Sequence, residues 1–201
     1  MTIRLALAAL AVALAACGPS VPRIPKLAPE ATILAFGDSL TFGTGTTPDK
    51  AYPAVLGRLA QRKVVAAGVP GEISEEGLAR LPAVLDEVKP ALLVLCHGGN
   101  DFLRKLGEAG AEANVRAMVR LAQSKGIAVA IVATPKPGFG ASRVAFYEAI
   151  GKDLAVPVEA DVLADVLSSG SLKSDLVHPN AEGYEKIAKA VAKLLERAGA
   201  L

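Results

Sequence analysis

Residues 32–43, TILAFGDSLTFG, place a short apolar run directly before a turn that contains Gly37, Asp38 and Ser39. The run has the length and composition of a buried strand. Gly, Asp and Ser are common turn residues, so this serine taken alone is typical of an ordinary structural turn. A serine at the end of a buried strand can also be a nucleophile if a base elsewhere in the chain accepts its proton. The other polar segments of the chain therefore determine which role applies.

Apolar runs of strand length alternate with longer amphipathic segments along the rest of the chain. Strands are predicted at 32–36, 63–67, 91–97, 126–134 and 156–160. Helices are predicted at 52–62, 74–88, 111–125, 141–153 and 180–198. Strands that alternate with helices predict a parallel sheet with helices on both faces. We therefore expect one α/β domain over residues 31–198, with three layers and a central parallel sheet of about five strands.

The composition is that of a folded globular protein. Hydrophobic residues make up 52% of the 201 residues and charged residues 21%. The 22 basic residues nearly balance the 20 acidic ones and form no Lys/Arg block, which argues against nucleic acid as a partner. Aromatic residues are only 4% of the chain and Trp is absent, so a platform for stacking bases is not expected either.

The N-terminus has the pattern of an export signal. Residues 1–16 carry one early charge, Arg4, followed by a Leu/Ala run that stops at Cys17. This run is shorter than the ~20 residues that span a bilayer and is typical of the apolar region of a signal peptide. The segment Leu14-Ala15-Ala16-Cys17 resembles the bacterial lipobox. The alternative is a plain export signal in which the cysteine stands near the cleavage site by chance.

The lipobox resemblance implies that Cys17 is lipidated and becomes the first residue of the mature chain. Residues 17–30 are rich in proline, which favours an extended tether between the anchor and the domain. We therefore expect a lipid-anchored protein of the bacterial cell envelope that faces the periplasm. Gly18 rather than Asp follows the cysteine, which slightly favours the outer membrane.

No metal or other cofactor is expected. The chain has two histidines, His97 and His178, and neither an HExxH nor a CxxC motif. Cys96 lies in an apolar run and is interpreted as a small core residue without a disulfide partner.

Polar stretches follow three of the predicted strands and precede the last helix. They are 37–40, 66–74, 98–101 and 175–180. Since the carboxyl ends of parallel strands meet at one edge of a sheet, we expect all of them at that edge.

These stretches carry complementary chemistry for acyl transfer. Ser39 needs a base, and His178 stands three residues after Asp175, so one loop can present an imidazole together with the carboxylate that orients it. The oxyanion that develops needs fixed donors, which the Ser39 N–H, a glycine N–H of the second stretch and the Asn100 amide can supply.

The four stretches resemble the sequence blocks of the SGNH (GDSL) hydrolase family. Residues 71–85, GEISEEGLARLPAVL, and 98–101, GGND, are similar to the thioesterase I/lysophospholipase/arylesterase branch of bacteria. The resemblance covers 31–198 and implies a flavodoxin-like, three-layer fold of the SGNH-hydrolase type.

The resemblance also implies residue roles. Ser39 corresponds to the nucleophile, His178 to the base and Asp175 to the residue that orients the base. Gly71 and Asn100 correspond to the oxyanion-hole residues that act beside the Ser39 amide.

The second stretch departs from the usual wording of this branch, Asn-Ala-Gly/Ser-x-Ser-Gly-Asp-Thr. The departures are Ala66, Pro70, Glu72 and Ile73. Pro70 has no N–H, so hydrogen bonding in this loop must differ. Gly68 competes with Gly71 for the role of donor, and the register with the following helix favours Gly71.

Other residues of these stretches have structural interpretations. We expect Asp38 to stabilise its loop and His97 to be packed or to support the site from behind. Asp175 taken alone could simply solvate its loop, and Asn180 could cap the last helix.

The function expected is that of a serine esterase, which forms an acyl-enzyme on Ser39. Its substrates would be lipophilic, aryl or lysophospholipid esters or acyl thioesters, and its partners the ester substrate and, through Cys17, a membrane. We expect a monomer. Two loops are predicted to line the acyl pocket, with the candidate residues Phe102, Leu103, Leu106 and Phe139. The alternatives are an O-deacetylase of envelope glycan, which needs a more polar site, and a non-catalytic envelope lipoprotein that binds ligands.

Overall fold

The computed structural model describes residues 21–137 and 141–201 and has a five-stranded parallel sheet at its centre. The strands are β1 (Thr32–Gly37), β2 (Lys63–Gly68), β3 (Leu92–Cys96), β4 (Ala128–Val132) and β5 (Val158–Glu159). Their order across the sheet is β2-β1-β3-β4-β5. This is the flavodoxin-like order, in which the direction of winding reverses between β1 and β3. The predicted α/β fold with about five parallel strands is confirmed.

Helices cover both faces of the sheet. They are α1 (Ser39–Phe42), α2 (Tyr52–Ala60), α3 (Ser74–Val88), α4 (Gly99–Leu103), α5 (Glu108–Ser124), α6 (Ala145–Leu154), α7 (Val162–Ser168) and α8 (Ala181–Ala198). The helices α2, α7 and α8 pack on one face, and α3, α5 and α6 pack on the other. The short helices α1, α4 and α7 were not predicted, because four to seven residues are too few to show a helical period.

The first strand explains why the apolar runs are continuous rather than alternating. Ile33 and Ala35 point into the core under α2 and α8, whereas Leu34 and Phe36 point into the core under α3 and α5. All four side chains are fully buried. A parallel sheet covered on both faces needs apolar residues at successive positions.

The chain before β1 packs against the end of the last helix. The Ile24 N–H donates to the Ala198 carbonyl over 2.9 Å and the Leu27 N–H to the Ala200 carbonyl over 2.8 Å. The side chains of Ile24 and Leu27 are buried in the core. The packed domain thus begins near residue 24, whereas the sequence predicted a tether up to residue 30, because these two apolar side chains find room beside α8.

The part of the chain that the structure describes contains no helix long and apolar enough to cross a membrane. The predicted signal peptide, 1–16, and the predicted lipidation site, Cys17, lie outside the described residues.

Candidate active site

The predicted site residues meet at the carboxyl edge of the sheet. Ser39 begins α1 directly after β1, and Asn100 lies in α4 directly after β3. Gly71 lies in the loop between β2 and α3, and His178 in the loop before α8. These four residues line one cavity.

A chain of hydrogen bonds joins Ser39, His178 and Asp175. The Ser39 Oγ lies 3.0 Å from the His178 Nε2, and the His178 Nδ1 lies 2.7 Å from the Asp175 Oδ2. Because a carboxylate only accepts hydrogen bonds, Nδ1 carries the proton and Nε2 is left to accept the Ser39 O–H. This arrangement can remove the serine proton and stabilise the imidazolium that results.

The Asp175 carboxylate is held by its own loop. Its Oδ1 accepts hydrogen bonds from the Val177 N–H over 2.8 Å and the His178 N–H over 2.9 Å. Desolvation by itself raises the pKa of Asp175, but the hydrogen bonds from His178, Val177 and the His178 backbone outweigh it and lower the pKa. The carboxylate is therefore ionised at neutral pH, in the state that orients a histidine.

Two backbone N–H groups beside the serine have no protein acceptor in the described part of the chain: those of Ser39 and Gly71. Gly71 has a φ of 80°, a left-handed conformation that favours glycine. Both groups are thus free to donate to a substrate oxygen.

The Asn100 side chain is held from both sides. Its Nδ2 donates to the Asp38 Oδ2 over 3.1 Å and to the Glu72 carbonyl over 3.0 Å. An amide nitrogen has two hydrogens, so both have an acceptor before substrate binds. Asn100 can donate to a substrate oxygen only by sharing one of these hydrogens in a three-centre bond.

Asp38 acts as the N-cap of α1 and as the partner of Asn100. Its Oδ1 accepts the Leu40 N–H over 3.0 Å, and the residue is 2% exposed. Burial raises the pKa of Asp38, although the Leu40 hydrogen bond and nearby His97 and His178 act in the opposite direction. These contacts match the structural role expected from the sequence.

Of the two competing glycines, only Gly71 lines the cavity. Gly68 ends β2, where an added Cβ would lie 2.1 Å from the Phe42 nitrogen and 2.6 Å from the Asp38 carbonyl oxygen. Gly68 therefore allows α1 to lie close to β2, which is a packing role.

The cavity beside Ser39 has a volume of about 540 Å³ and mostly apolar walls. Its apolar lining consists of Leu40, Pro70, Leu103, Pro135, Pro137, Ala141, Leu167, Leu176 and Val177. The ionisable side chains of the lining are Asp38, Lys136, Lys173 and His178. Lys136 is ion-paired with Glu108, whereas Lys173 has no ion pair within the described residues.

The four residues predicted to line the acyl pocket differ in where the structure places them. Leu103 lines the cavity, but Phe102 and Leu106 do not. Phe102 turns towards the core, where its ring centroid lies 6.3 Å from that of Phe146, because successive helical residues point about 100° apart. Leu106 lies beyond the end of α4 and is 55% exposed. Phe139 lies outside the described residues.

Sequence reasoning missed an ion cluster behind the site, formed by Glu72, Arg80 and His97. The Glu72 carboxylate accepts hydrogen bonds from the Arg80 Nε and Nη2, each over 2.7 Å. It also lies 3.0 Å from the His97 Nε2. His97 is fully buried, as its packed interpretation requires. Glu72 stood out in the sequence only as a departure from the family wording. Its spacing from Arg80 does not reveal a contact, because the chain turns into α3 between them.

A second missed contact joins the second and third polar stretches. The buried Asp101 carboxylate accepts the Ser74 N–H over 2.9 Å and the Ser74 O–H over 2.6 Å. It thereby ties the start of α3 to α4, and so the Gly71 loop to Asn100.

Glu72 is expected to make the free energy of unfolding fall at acid pH. Burial by itself raises its pKa, but hydrogen bonds from Arg80 and His97 outweigh this and lower the pKa from 4.5 to about 2. A carboxyl with a lowered pKa stabilises the fold above its unfolded pKa, and this contribution is lost as pH falls through the folded pKa. Between about pH 4.5 and 2, we expect the wild type to lose up to about 3 kcal/mol more of its free energy of unfolding than Glu72→Gln. Urea unfolding at several pH values measures this, and parallel curves would contradict it.

Within residues 21–137 and 141–201, no group of three or more His, Cys, Asp or Glu side chains is arranged to hold a metal ion. Cys96 is buried with a free thiol, and burial raises its pKa well above the usual value.

Comparison with known proteins agrees with the resemblance found in the sequence. Residues 35–186 match the GDSL-like Lipase/Acylhydrolase family. The chain is 34% identical over 161 residues to Esterase TesA of Pseudomonas aeruginosa, covering 74% of this chain and 79% of that protein. It is 32% identical over 173 residues to Thioesterase 1/protease 1/lysophospholipase L1 of Escherichia coli K12, covering 82% of this chain and 83% of that protein.

Solved structures of esterases have the same fold as this chain. The crystal structure of TesA superposes with a TM-score of 0.75 at 29% identity, over 83% of this chain and 99% of that one. AlinE4, an SGNH-hydrolase family esterase, superposes with a TM-score of 0.65 at 28% identity, over 86% of this chain and 98% of that one. The chain therefore belongs to the GDSL-like lipase/acylhydrolase family and is an ester hydrolase of that family.

Proposed function

We propose that this enzyme hydrolyses carboxylic esters through an acyl-enzyme on Ser39. The observation that carries the proposal is the hydrogen-bonded chain from Ser39 through His178 to Asp175 at the wall of a mostly apolar cavity. A serine, a base and a carboxylate that orients the base are the groups that nucleophilic acyl transfer needs.

In the first step, the His178 Nε2 takes the Ser39 proton while the Oγ attacks the ester carbonyl. The carbonyl oxygen becomes an oxyanion that the N–H groups of Ser39 and Gly71 and the Asn100 amide stabilise. The tetrahedral intermediate then expels the alcohol, which leaves with the proton held on His178. A water molecule gives a proton to His178 and attacks the acyl-enzyme, and the second intermediate releases the acid and restores the Ser39 hydroxyl.

The cavity supports an ester with an apolar acyl chain as substrate. Its volume of about 540 Å³ is within the range of pockets that enclose small lipophilic ligands. The name of the Escherichia coli relative includes lysophospholipase L1. Lys173 in the cavity wall suits the phosphate of a lysophospholipid. We therefore rank lysophospholipids and small lipophilic esters above acyl-CoA thioesters, which an envelope protein would not ordinarily meet.

A panel of esters from acetate to palmitoyl lysophospholipid, with an acyl thioester and an acetylated glycan as further arms, tests this proposal. We expect the highest kcat/KM for apolar acyl esters. A fluorophosphonate probe should label the wild type, with esters of the panel competing. Preference for the acetylated glycan would favour the O-deacetylase alternative instead. Absence of both turnover and labelling would contradict the esterase proposal.

Leu103 offers a sharper test of the acyl pocket. It lines the cavity and is 45% exposed, whereas Leu106 is 55% exposed and lies outside the cavity. Leu103→Ala should raise KM for octanoyl esters about five- to tenfold and leave acetate esters nearly unchanged, because apolar contact area is lost only for long chains. Leu106→Ala is the matched control. If the two variants have the same chain-length profile, this placement of the acyl chain is wrong.

We also propose that lipidation of Cys17 anchors the enzyme in the cell envelope, facing the periplasm, with the outer membrane slightly favoured. The lipobox-like segment 14–17 supports this, and two or three acyl chains give stable anchoring. Radiolabelled palmitate should enter the wild type and not Cys17→Ala, which should move to the soluble fraction. Density separation of the membranes identifies the final location. Labelling that persists in Cys17→Ala would contradict the assignment.

A further inference from the structure

The ion cluster of Glu72, Arg80 and His97 stands directly behind the two oxyanion donors that are not on the serine itself. Glu72 follows Gly71 directly in the chain, so a shift of the Glu72 backbone can displace Gly71 and its N–H. Its carbonyl also accepts the Asn100 Nδ2 over 3.0 Å. One residue is thus the chain neighbour of one donor and the hydrogen-bond partner of the other. We infer that the buried ion cluster positions the oxyanion hole through the backbone of Glu72.

The main chain around Gly71 has few hydrogen bonds of its own. Pro70 has no N–H to donate. The Glu72 N–H reaches the Val69 carbonyl at 3.2 Å, and the Val69 N–H reaches the Gly37 carbonyl at 3.1 Å. On the solvent side, the Arg104 Nη2 donates to the Gly71 carbonyl over 2.6 Å. The loop therefore depends on side chains to keep its shape, and within residues 69–73 Glu72 is the buried one.

The cluster is itself fixed by rigid elements. Arg80 lies on α3, donates from Nη2 to the Ala67 carbonyl over 3.2 Å and stacks 4.2 Å from the centroid of the Phe36 ring. Its two bonds to Glu72 form a bidentate pair, which fixes orientation as well as distance. Glu72 is thereby held to both the end of β2 and the helix that follows.

His97 holds the opposite side of the cluster. Its Nδ1 accepts the Gly98 N–H over 3.1 Å, so Nε2 is the nitrogen that donates to Glu72. The ring packs closely under α3, where a Cβ added at Gly77 would lie 2.2 Å from Nε2. A glycine at 77 is therefore required for this histidine to reach Glu72.

None of the three cluster residues lines the cavity, so they are positioning residues rather than catalytic ones. Their effect should appear in the transition state, where the oxyanion forms, and not in substrate binding. A displacement of donors by about 1 Å can reduce the rate of an enzyme about 10²-fold. This inference rests on the proposed function, because the donors that the cluster positions are those of the oxyanion hole in the proposed ester hydrolysis.

The test compares Glu72→Gln with Glu112→Gln, in which a partly exposed glutamate that pairs with Arg116 on α5, outside the cavity, is changed in the same way. Active sites are counted by fluorophosphonate titration, and kcat and KM are measured with p-nitrophenyl butyrate. We expect Glu72→Gln to lower kcat per titrated site about 10- to 100-fold with KM within about twofold. A trifluoromethyl ketone, whose adduct on serine carries an oxyanion, should bind more weakly by a similar factor. Glu112→Gln should match the wild type in all these measurements.

A second pair of variants dissects the cluster without removing its carboxylate. His97→Gln keeps a donor near the position of Nε2, whereas His97→Asn keeps only a group near Nδ1. We expect His97→Asn to reproduce the loss of kcat and of ketone affinity, and His97→Gln to restore most of both. If Glu72→Gln does not fold, the comparison of His97→Gln with His97→Asn tests the positioning role of the cluster instead.

Two results would overturn the inference: kcat per titrated site unchanged in Glu72→Gln, or equal losses in His97→Gln and His97→Asn. The first of these results, accompanied by a fall in thermal stability, is what a merely structural cluster predicts. A wild type that neither turns over esters nor reacts with the probe would instead contradict the proposed function.

Discussion

Ser39→Ala is expected to lower kcat for ester hydrolysis by about 10⁴- to 10⁶-fold and to abolish labelling by fluorophosphonate. The reason is chemical, because His178 then has no hydroxyl to deprotonate and no acyl-enzyme can form. The hydrogen bond of 3.0 Å between the Ser39 Oγ and the His178 Nε2 is lost with the hydroxyl. Burst kinetics with a p-nitrophenyl ester and intact-mass analysis of the labelled protein measure both effects.

Ser124→Ala is the matched control for this variant. Ser124 ends α5, is exposed, and its hydroxyl donates to the Leu121 carbonyl over 2.8 Å. This control should keep wild-type turnover and labelling. Residual turnover in Ser39→Ala within about tenfold of the wild type would show that another group is the nucleophile, since serine loss costs far more in related triads.

Asn100→Ala is expected to have the next largest effect, lowering kcat by about 10²- to 10³-fold, the typical cost of losing one oxyanion donor. It should also lower the free energy of unfolding by about 1–3 kcal/mol, because a buried acceptor on Asp38 and the Glu72 carbonyl lose their donor. Fluorophosphonate titration separates the two effects, since kcat is then expressed per active site. Thermal unfolding measures the loss of stability.

Gln123→Ala is the control, because it also removes an amide hydrogen bond, from the Gln123 Nε2 to the Leu154 carbonyl over 2.9 Å, at a position outside the cavity. It should cost some stability and leave kcat per site unchanged. If Asn100→Ala lowers stability but not kcat per site, the three-centre hydrogen bond proposed for Asn100 does not operate. The oxyanion hole would then consist of the Ser39 and Gly71 N–H groups alone.

Much of the architecture could be predicted because its signals are local. The five apolar runs and the amphipathic segments between them indicate a parallel α/β sheet without any knowledge of distant contacts. The candidate residues Ser39, Asn100, Asp175 and His178 could be chosen because each follows a strand or precedes a helix at the same edge. Their catalytic roles remain predictions, of which the variants above address those of Ser39 and Asn100, whereas the distances among them are now known.

The pocket was predicted less well, because lining a cavity depends on where each side chain points. Leu103 lines the cavity, while its neighbour Phe102 packs against Phe146. Leu167 and Leu176, which also line it, come from α7 and from the loop that carries His178. The sequence has no signal that these segments face the Asn100 segment across a cavity.

The sequence by itself determined the order of strands and helices along the chain and the residues available for acyl transfer. These follow from periodicity and residue chemistry over short stretches. Only the tertiary structure decided which glycine lines the site, which leucine lines the pocket, and that Glu72, Arg80 and His97 form one buried cluster. Such facts depend on packing between segments far apart in the chain, and the direction of a side chain there is set by neighbours that no local pattern encodes.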